Sequence, residues 1–283
     1  ETLANLPAIL SRGVAWYRTI GTEKSPGPKI FCVSGHVVRP GNYEKPLGYP
    51  LEKLLHEDAG GLRPGRKLKA LIPGGSSMPV LRADEILGLT LDYEAVQARG
   101  SLLGSAGVIV MDDSTCMVRC LLNISRFYAH ESCGQCTPCR EGSTWLAKIL
   151  KRIEAGEGQV GDLELLLDIC DNIAGKTICP FGEATAWPVQ SFVKRFRDDF
   201  DAHITEGRCP FRAAQHGPPP GSDPHGDCSA SGRIARALRR PGTAAAARAL
   251  GGRQGGRPRM SPEAGRLLSS FPRSPASGRR PGA

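Results

Sequence analysis

Cys133-Gly134-Gln135-Cys136-Thr137-Pro138-Cys139 places three thiols at a strict three-residue spacing, and this stretch decides what the surrounding chain must build. A C-x-x-C-x-x-C run in a short loop lets three thiolates converge on one soft metal centre, with a fourth ligand arriving from elsewhere. Ile178-Cys179-Pro180-Phe181-Gly182 supplies that candidate. Three clustered thiols, one remote thiol and a proline after a ligand are how chains hold a 4Fe-4S cluster. A structural zinc with four thiolates is the rival reading, although zinc ligands more often come as two separated pairs. Plain unligated thiols are the third.

The chain has ten cysteines, and each of the others has a blander assignment. Cys170 sits in a leucine-rich helical stretch and is expected to pack as a small apolar side chain. Cys116 and Cys120, at i and i+4 beside Leu121, read as one buried helical face. Cys32 alternates within a strand and is expected in the core. Cys209 follows the last predicted helix and competes weakly for the fourth-ligand role, and Cys228 belongs to the tail. Cys179 therefore closes the set Cys133, Cys136, Cys139 and Cys179. Backbone N–H groups of the loop and of the helix after Cys139 are placed to donate to sulfur. Gly134 and Gly142 are expected to permit close approach. Arg140 is either a charge beside an anionic cluster or simply solvated. His130 is a possible ligand that four thiols make unnecessary. No Ser/His/Asp arrangement or phosphate loop is present, and Gly74-Gly75-Ser76-Ser77 reads as a turn. A cluster with every iron taken by cysteine has no open position for substrate, so one-electron transfer is its natural use, with a structural role second.

The flanking pattern implies an α+β chain. Apolar spacing from Ala8 to Tyr17 predicts an opening helix, and Ser25-Pro26-Gly27-Pro28 breaks it. Residues 29–38, 43–45, 67–72 and 107–111 read as strands. Leu51, Leu54 and Leu55 mark a short helix ending at Gly60-Gly61. A hairpin, a helix and further strands suggest a small β-grasp, ubiquitin-like domain over 26–112. Four helices follow over 113–212: one capped by Ser114, one from Glu141 to near Gly156, one capped by Asp162, and one running through Trp187 to Phe200 with Pro188 in its first turn. Their short connections predict a four-helix bundle whose end carries the thiol loops.

The net charge of +9 would suggest nucleic acid were it not confined. Twelve of the 37 basic residues and three of the 28 acids fall in 214–283, leaving 25 of each in the first 213 residues. The body thus has no electrostatic footprint for DNA or RNA. Gly, Ala, Pro and Arg make up 46 of those last seventy residues, so 213–283 is expected to be disordered. Its four abundant residue types all have GC-rich codons and it lacks lysine, which fits off-frame read-through. The triplet of thiols implies a reducing compartment, and the apolar runs are too short to span a bilayer.

Phe127-Tyr128-Ala129-His130-Glu131-Ser132, continuing through the thiol loop to Arg140-Glu141-Gly142, closely resembles the cluster loop of the NADH-binding flavoprotein subunit of respiratory complex I. That family includes the diaphorase subunits of NAD-linked hydrogenases and formate dehydrogenases. Ile178 to Ala184 is similar to its fourth-ligand loop, Gly104 to Met111 to its β-grasp exit strand, and Glu1 to Pro7 to the end of its flavin domain. The resemblance covers 1–212 and implies that Cys133, Cys136, Cys139 and Cys179 hold the cluster. It places Thr2 near an FMN phosphate and makes 1–25 the end of a flavin- and NADH-binding domain lying upstream. It further implies iron-sulfur subunits as partners and a cytoplasmic or matrix-side position peripheral to the inner membrane. By itself the 283-residue chain is expected to relay electrons without oxidising NADH. A diaphorase subunit and a zinc-stabilised interaction module are the alternatives.

Overall fold

The computed structural model describes residues 2–211, so the expectation for the tail lies outside the described residues. Helices α1 (Thr2–Arg12) and α2 (Val14–Tyr17) come first. They are separated at Gly13, whose φ of 88° suits glycine, so the single opening helix expected is two. Strands β1 (Pro28–Gly35), β2 (Gly41–Pro46) and β3 (Tyr49–Pro50) follow. Next come α3 (Leu51–Lys53), continued by a π-helical turn over Leu54–Asp58, then β4 (Leu68–Ile72), β5 (Leu81–Arg82) and β6 (Thr90–Leu91). Helix α4 (Tyr93–Ala98) and β7 (Gly107–Asp112) complete this half. The sequence pattern does not predict α4, because of its residues Val96 alone is buried and no apolar stripe forms. Asp92 caps it, accepting from the Ala95 N–H at 2.7 Å.

Five strands form a mixed sheet in the order β2-β1-β7-β4-β5, with β1 and β7 parallel and the other pairs antiparallel. Strands β3 and β6 pair separately. Because strand side chains alternate, the central strands feed two cores. Phe31, Val33, Leu71, Val108 and Val110 join Leu51, Leu54 and Leu55 on one face. Ala70, Ile72 and Met111 face the other way, into the core built by the later helices. The same alternation corrects the expectation for Cys32: with Phe31 and Val33 turned inward, its side chain is exposed.

Five helices follow: α5 (Met117–Glu131), α6 (Thr137–Glu154), α7 (Asp162–Ile173), α8 (Phe181–Arg195) and α9 (Arg197–Glu206). Helix α5 packs on α6 and α8, and α7 on the same two. Their buried stripes explain this. Met117, Val118, Leu121, Leu122, Ser125 and Tyr128 recur on one face of α5, and Leu163, Leu166, Ile169, Cys170 and Ile173 on one face of α7. Cys170 packs as a buried apolar side chain, as expected.

Several helix boundaries differ from expectation, each for a local reason. Ser114 does not cap α5; its hydroxyl donates to Asp112 Oδ1 at 2.5 Å, and the Cys116 sulfur takes the cap role, accepting from the Arg119 N–H at 3.4 Å. Asp162 is the first residue of α7, after Gly161 at φ 94°. Its carboxylate accepts from the Gln159 N–H at 2.8 Å and pairs with Arg152 of α6. Helix α8 starts at Phe181, directly after Cys179-Pro180, so Pro188 lies inside it rather than in its first turn. It breaks at Phe196, where φ is −126° and ψ 34°, so the single helix expected through Phe200 is α8 and α9.

Polar contacts join the two halves. The Val80 N–H donates to Ser191 Oγ at 3.1 Å, Lys69 Nζ reaches Asp199 at 2.6 Å, and Arg195 pairs with Glu85 at 2.8 Å. Among the described residues no helix is long and apolar enough to cross a membrane.

Candidate metal centre

The α5–α6 and α7–α8 connections come together, and they carry the thiols singled out by spacing. Cys133 is exposed in the first connection, and Cys136 is the half-buried N-cap residue of α6. Cys139 is buried within the first turn of that helix, so α6 starts before Cys139 rather than after it. Cys179 is exposed in the second connection, immediately before Pro180, the N-cap residue of α8. Across a separation of 42 residues, the Ile178 N–H donates to Cys136 Sγ at 3.4 Å. That contact sets the loop of the fourth thiol against the triplet.

The loops are braced by their own polar groups. Ser132 Oγ lies 3.2 Å from Cys139 Sγ and accepts from the Gly134 N–H at 3.4 Å. Gly134 has φ 78°, which only glycine adopts freely. Arg140 is exposed but not merely solvated: Nη1 donates to the Gly134 carbonyl at 2.9 Å and Nε to Glu141 at 2.9 Å. In the second loop, Thr177 Oγ1 donates to the Cys179 carbonyl at 2.8 Å, and Glu183 accepts from the Gly175 N–H at 2.8 Å. Tyr128 anchors the ensemble, edge-on to Phe181 at 5.5 Å between ring centres and 2.9 Å from Ser76 Oγ.

Gly142 serves a purpose other than the one expected. A Cβ there would lie 2.6 Å from Ile173 Cδ1, so the glycine lets α6 approach α7 rather than opening the thiol loop. Gly182 does act beside the second loop, where a Cβ would meet Thr177 Oγ1 at 2.4 Å. Thr2 is the first residue of α1; its side chain lies outside the described residues.

The donor set is all sulfur and lies at the N-terminal ends of α6 and α8. Neither α6 nor α8 has a side-chain cap, so their first-turn N–H groups complement negative charge at the thiols. Among the described residues, the group of four donor atoms all within 4.8 Å of one another is Cys116, Glu154, His203 and Cys209, which is elsewhere. The loop thiols are thus not drawn into a cage the size of a single ion. An all-sulfur donor set is the kind that holds an iron-sulfur cluster or a four-thiolate zinc. Cys170 is a poor fifth candidate: burial pushes its thiol up to about 12.

Residues 119–203 match the family described as the NADH-ubiquinone oxidoreductase-F iron-sulfur binding region, and residues 30–81 match the SLBB domain. The chain is 54% identical over 211 residues to the second F subunit of NADH-quinone oxidoreductase from Rhizobium meliloti (strain 1021), covering 75% of this chain and 50% of that one. It is 51% identical over 215 residues to the F subunit of the same enzyme from Streptomyces coelicolor, covering 76% and 47%. The chain therefore spans about half the length of the curated relatives it matches. Among solved structures, the NAD+-reducing NiFe-hydrogenase in its air-oxidised state superposes with a TM-score of 0.64 at 36% identity, covering 72% of this chain and 34% of that one.

Proposed function

We propose, on the premise that this chain carries the iron-sulfur region of an F-type component of NADH-quinone oxidoreductase, that Cys133, Cys136, Cys139 and Cys179 hold a 4Fe-4S cluster. When bound, such a cluster supplies one-electron transfer, here between the FMN of an NADH-oxidising module and further iron-sulfur subunits. The observation that carries the reading is the Ile178 N–H bond to Cys136 Sγ, which sets the remote thiol loop on the triplet.

The residues of the chain have definable parts in this scheme. Cys136 and Cys139 are fixed by α6, and Cys133 by the Gly134 turn that Arg140 and Ser132 brace. Cys179 is fixed by Thr177 and by the start of α8. N–H groups at both helix ends and at Ile178 stabilise anionic sulfur and so favour the reduced state. Thr2 is assigned to the edge of an FMN site, with NADH as donor there. Residues 1–25 then close a flavin domain, 26–112 form a β-grasp domain, and 113–212 a four-helix bundle extended by α9. The partners are other iron-sulfur subunits of the NADH dehydrogenase module. The place is the cytoplasmic (in mitochondria, matrix) side, peripheral to the inner membrane. A diaphorase role is the second reading, favoured by the hydrogenase superposition; the higher identity to the NADH-quinone oxidoreductase relatives argues for the first.

Iron and acid-labile sulfide analysis after anaerobic reconstitution tests the assignment. About four of each per chain are expected. Cys179→Ala is expected to lose the cluster or retain a three-iron remnant, whereas full occupancy in that variant would remove Cys179 from the site.

A further inference from the structure

A second group of donors lies away from the thiol loops. Cys116 is the N-cap residue of α5, Glu154 the last residue of α6, and His203 lies on α9. Cys209 follows Gly207 at the end of α9. Cys116 and His203 are fully buried, Cys209 is 8% exposed, and the Glu154 side chain is 19% exposed. Cys116 Sγ is 3.7 Å from Cys209 Sγ, 3.3 Å from His203 Nε2 and 3.6 Å from Glu154 Oε2. His203 Nε2 is 3.5 Å from Glu154 Oε2. All four donor atoms lie within 4.8 Å of one another.

These separations are the edges of a coordination tetrahedron. With zinc–sulfur bonds of about 2.3 Å and zinc–nitrogen or zinc–oxygen bonds of about 2.0–2.1 Å, two thiolates stand about 3.8 Å apart. On the same geometry sulfur lies about 3.6 Å from nitrogen or oxygen, and nitrogen about 3.4 Å from oxygen. The surrounding groups are set for ligation as well. His203 Nδ1 is 2.6 Å from the Asp199 carbonyl, which can only accept, so Nδ1 carries a proton and Nε2 is the ring nitrogen that faces the group. The Arg119 N–H donates to Cys116 Sγ at 3.4 Å, a contact suited to a thiolate.

We propose that Cys116, Glu154, His203 and Cys209 form a closed, structural zinc site that fastens α9 and the segment after it to the ends of α5 and α6. Four protein ligands and deep burial leave no open position, so the ion stabilises and does not catalyse. The site shares no ligand with the thiol loops. Cys116 and Cys209 also lie outside residues 119–203, the region matched by the iron-sulfur family.

Elemental analysis of the purified full chain, prepared anaerobically and washed with chelator, tests the proposal. About one zinc per chain is expected, independent of iron. The double variant C116A/C209A should lower zinc at least tenfold while keeping iron, and C133A/C179A should lose iron while keeping zinc. Should the first variant fail to fold, Co2+ uptake by the unaltered chain gives the answer, with tetrahedral d–d absorption and thiolate-to-cobalt charge transfer expected and weakened in Glu154→Gln. The proposal is overturned if the unaltered chain takes up neither zinc nor Co2+, or if its zinc survives C116A/C209A and disappears with C133A/C179A. A Cys116–Cys209 disulfide in the anaerobic protein, found by mass spectrometry, would overturn it too.

Discussion

The two thiol groupings of this chain differ in nearly every physical respect. The loop set, Cys133, Cys136, Cys139 and Cys179, sits at the α5–α6 and α7–α8 turns, half at the surface, and is all sulfur. The buried set, Cys116 and Cys209 with Glu154 and His203, mixes three donor chemistries within an ion-sized space. On the readings proposed above, one takes a large soft group between loops and the other a single ion under helix ends. Local spacing advertises a site on a loop. A site assembled from three segments far apart in the chain leaves little local trace.

Solvent access should separate the two sets most widely. In metal-free protein, alkylation followed by peptide mass spectrometry is expected to label Cys133 and Cys179 about a hundredfold faster than Cys116 or Cys170, which react only through local opening. The raised Cys170 thiol slows that residue further. Equal rates would erase the distinction.

Backbone geometry gives the next effect. Gly156 has φ 83°, and a Cβ there would lie 2.1 Å from the Gly207 carbonyl oxygen, where neither partner can yield as a side chain could. Gly156→Ala is expected to cost about 2–3 kcal/mol in denaturant unfolding. Because that contact holds the Cys209 segment beside Glu154, zinc should fall in this variant while iron does not. Gly182→Ala sharpens the opposite side. Its Cβ would displace Thr177 from the Cys179 carbonyl, costing about 1–3 kcal/mol and speeding iron loss to a chelator, with zinc unchanged.

The smallest effect concerns Asp112, remote from the loop thiols. Burial alone would raise its carboxyl, but hydrogen bonds from Ser114 and the charge of His36, whose Nδ1 is 2.9 Å away, outweigh burial and hold it below the usual carboxylate range. Its folded pKa is therefore lower than its unfolded one. The stability it contributes is present above the ordinary carboxylate range and is lost as pH falls through the depressed folded value. Asp112→Asn should flatten the acid limb of a stability-versus-pH curve, read by thermal unfolding, without altering either metal content.

The comparison also explains what is legible in the sequence. The three-residue spacing and the Cys179-Pro180 pair locate the loop set, and apolar periodicity locates α5, α6 and α7, because both signals are local. Cys116 reads as a buried helical residue and Cys209 as a weak competitor, since nothing in the sequence joins positions 116, 154, 203 and 209. Their meeting depends on packing, including the glycine-to-glycine contact of Gly156 with Gly207. The displacement of Pro188 from the first turn has a related cause: a proline suggests a helix start, yet α8 already begins at the Cys179-Pro180 loop. Cys32 misleads because its apolar neighbours Phe31 and Val33 claim the inward face.

The central claim, that the loop thiols hold an electron-carrying cluster, is met most directly by low-temperature EPR of the anaerobically reduced, reconstituted chain. A fast-relaxing spin-one-half signal is predicted, accounting for about one spin per four irons and lost in Cys133→Ala. No paramagnetic signal, with zinc bound in place of iron and removed by the same substitution, would contradict it.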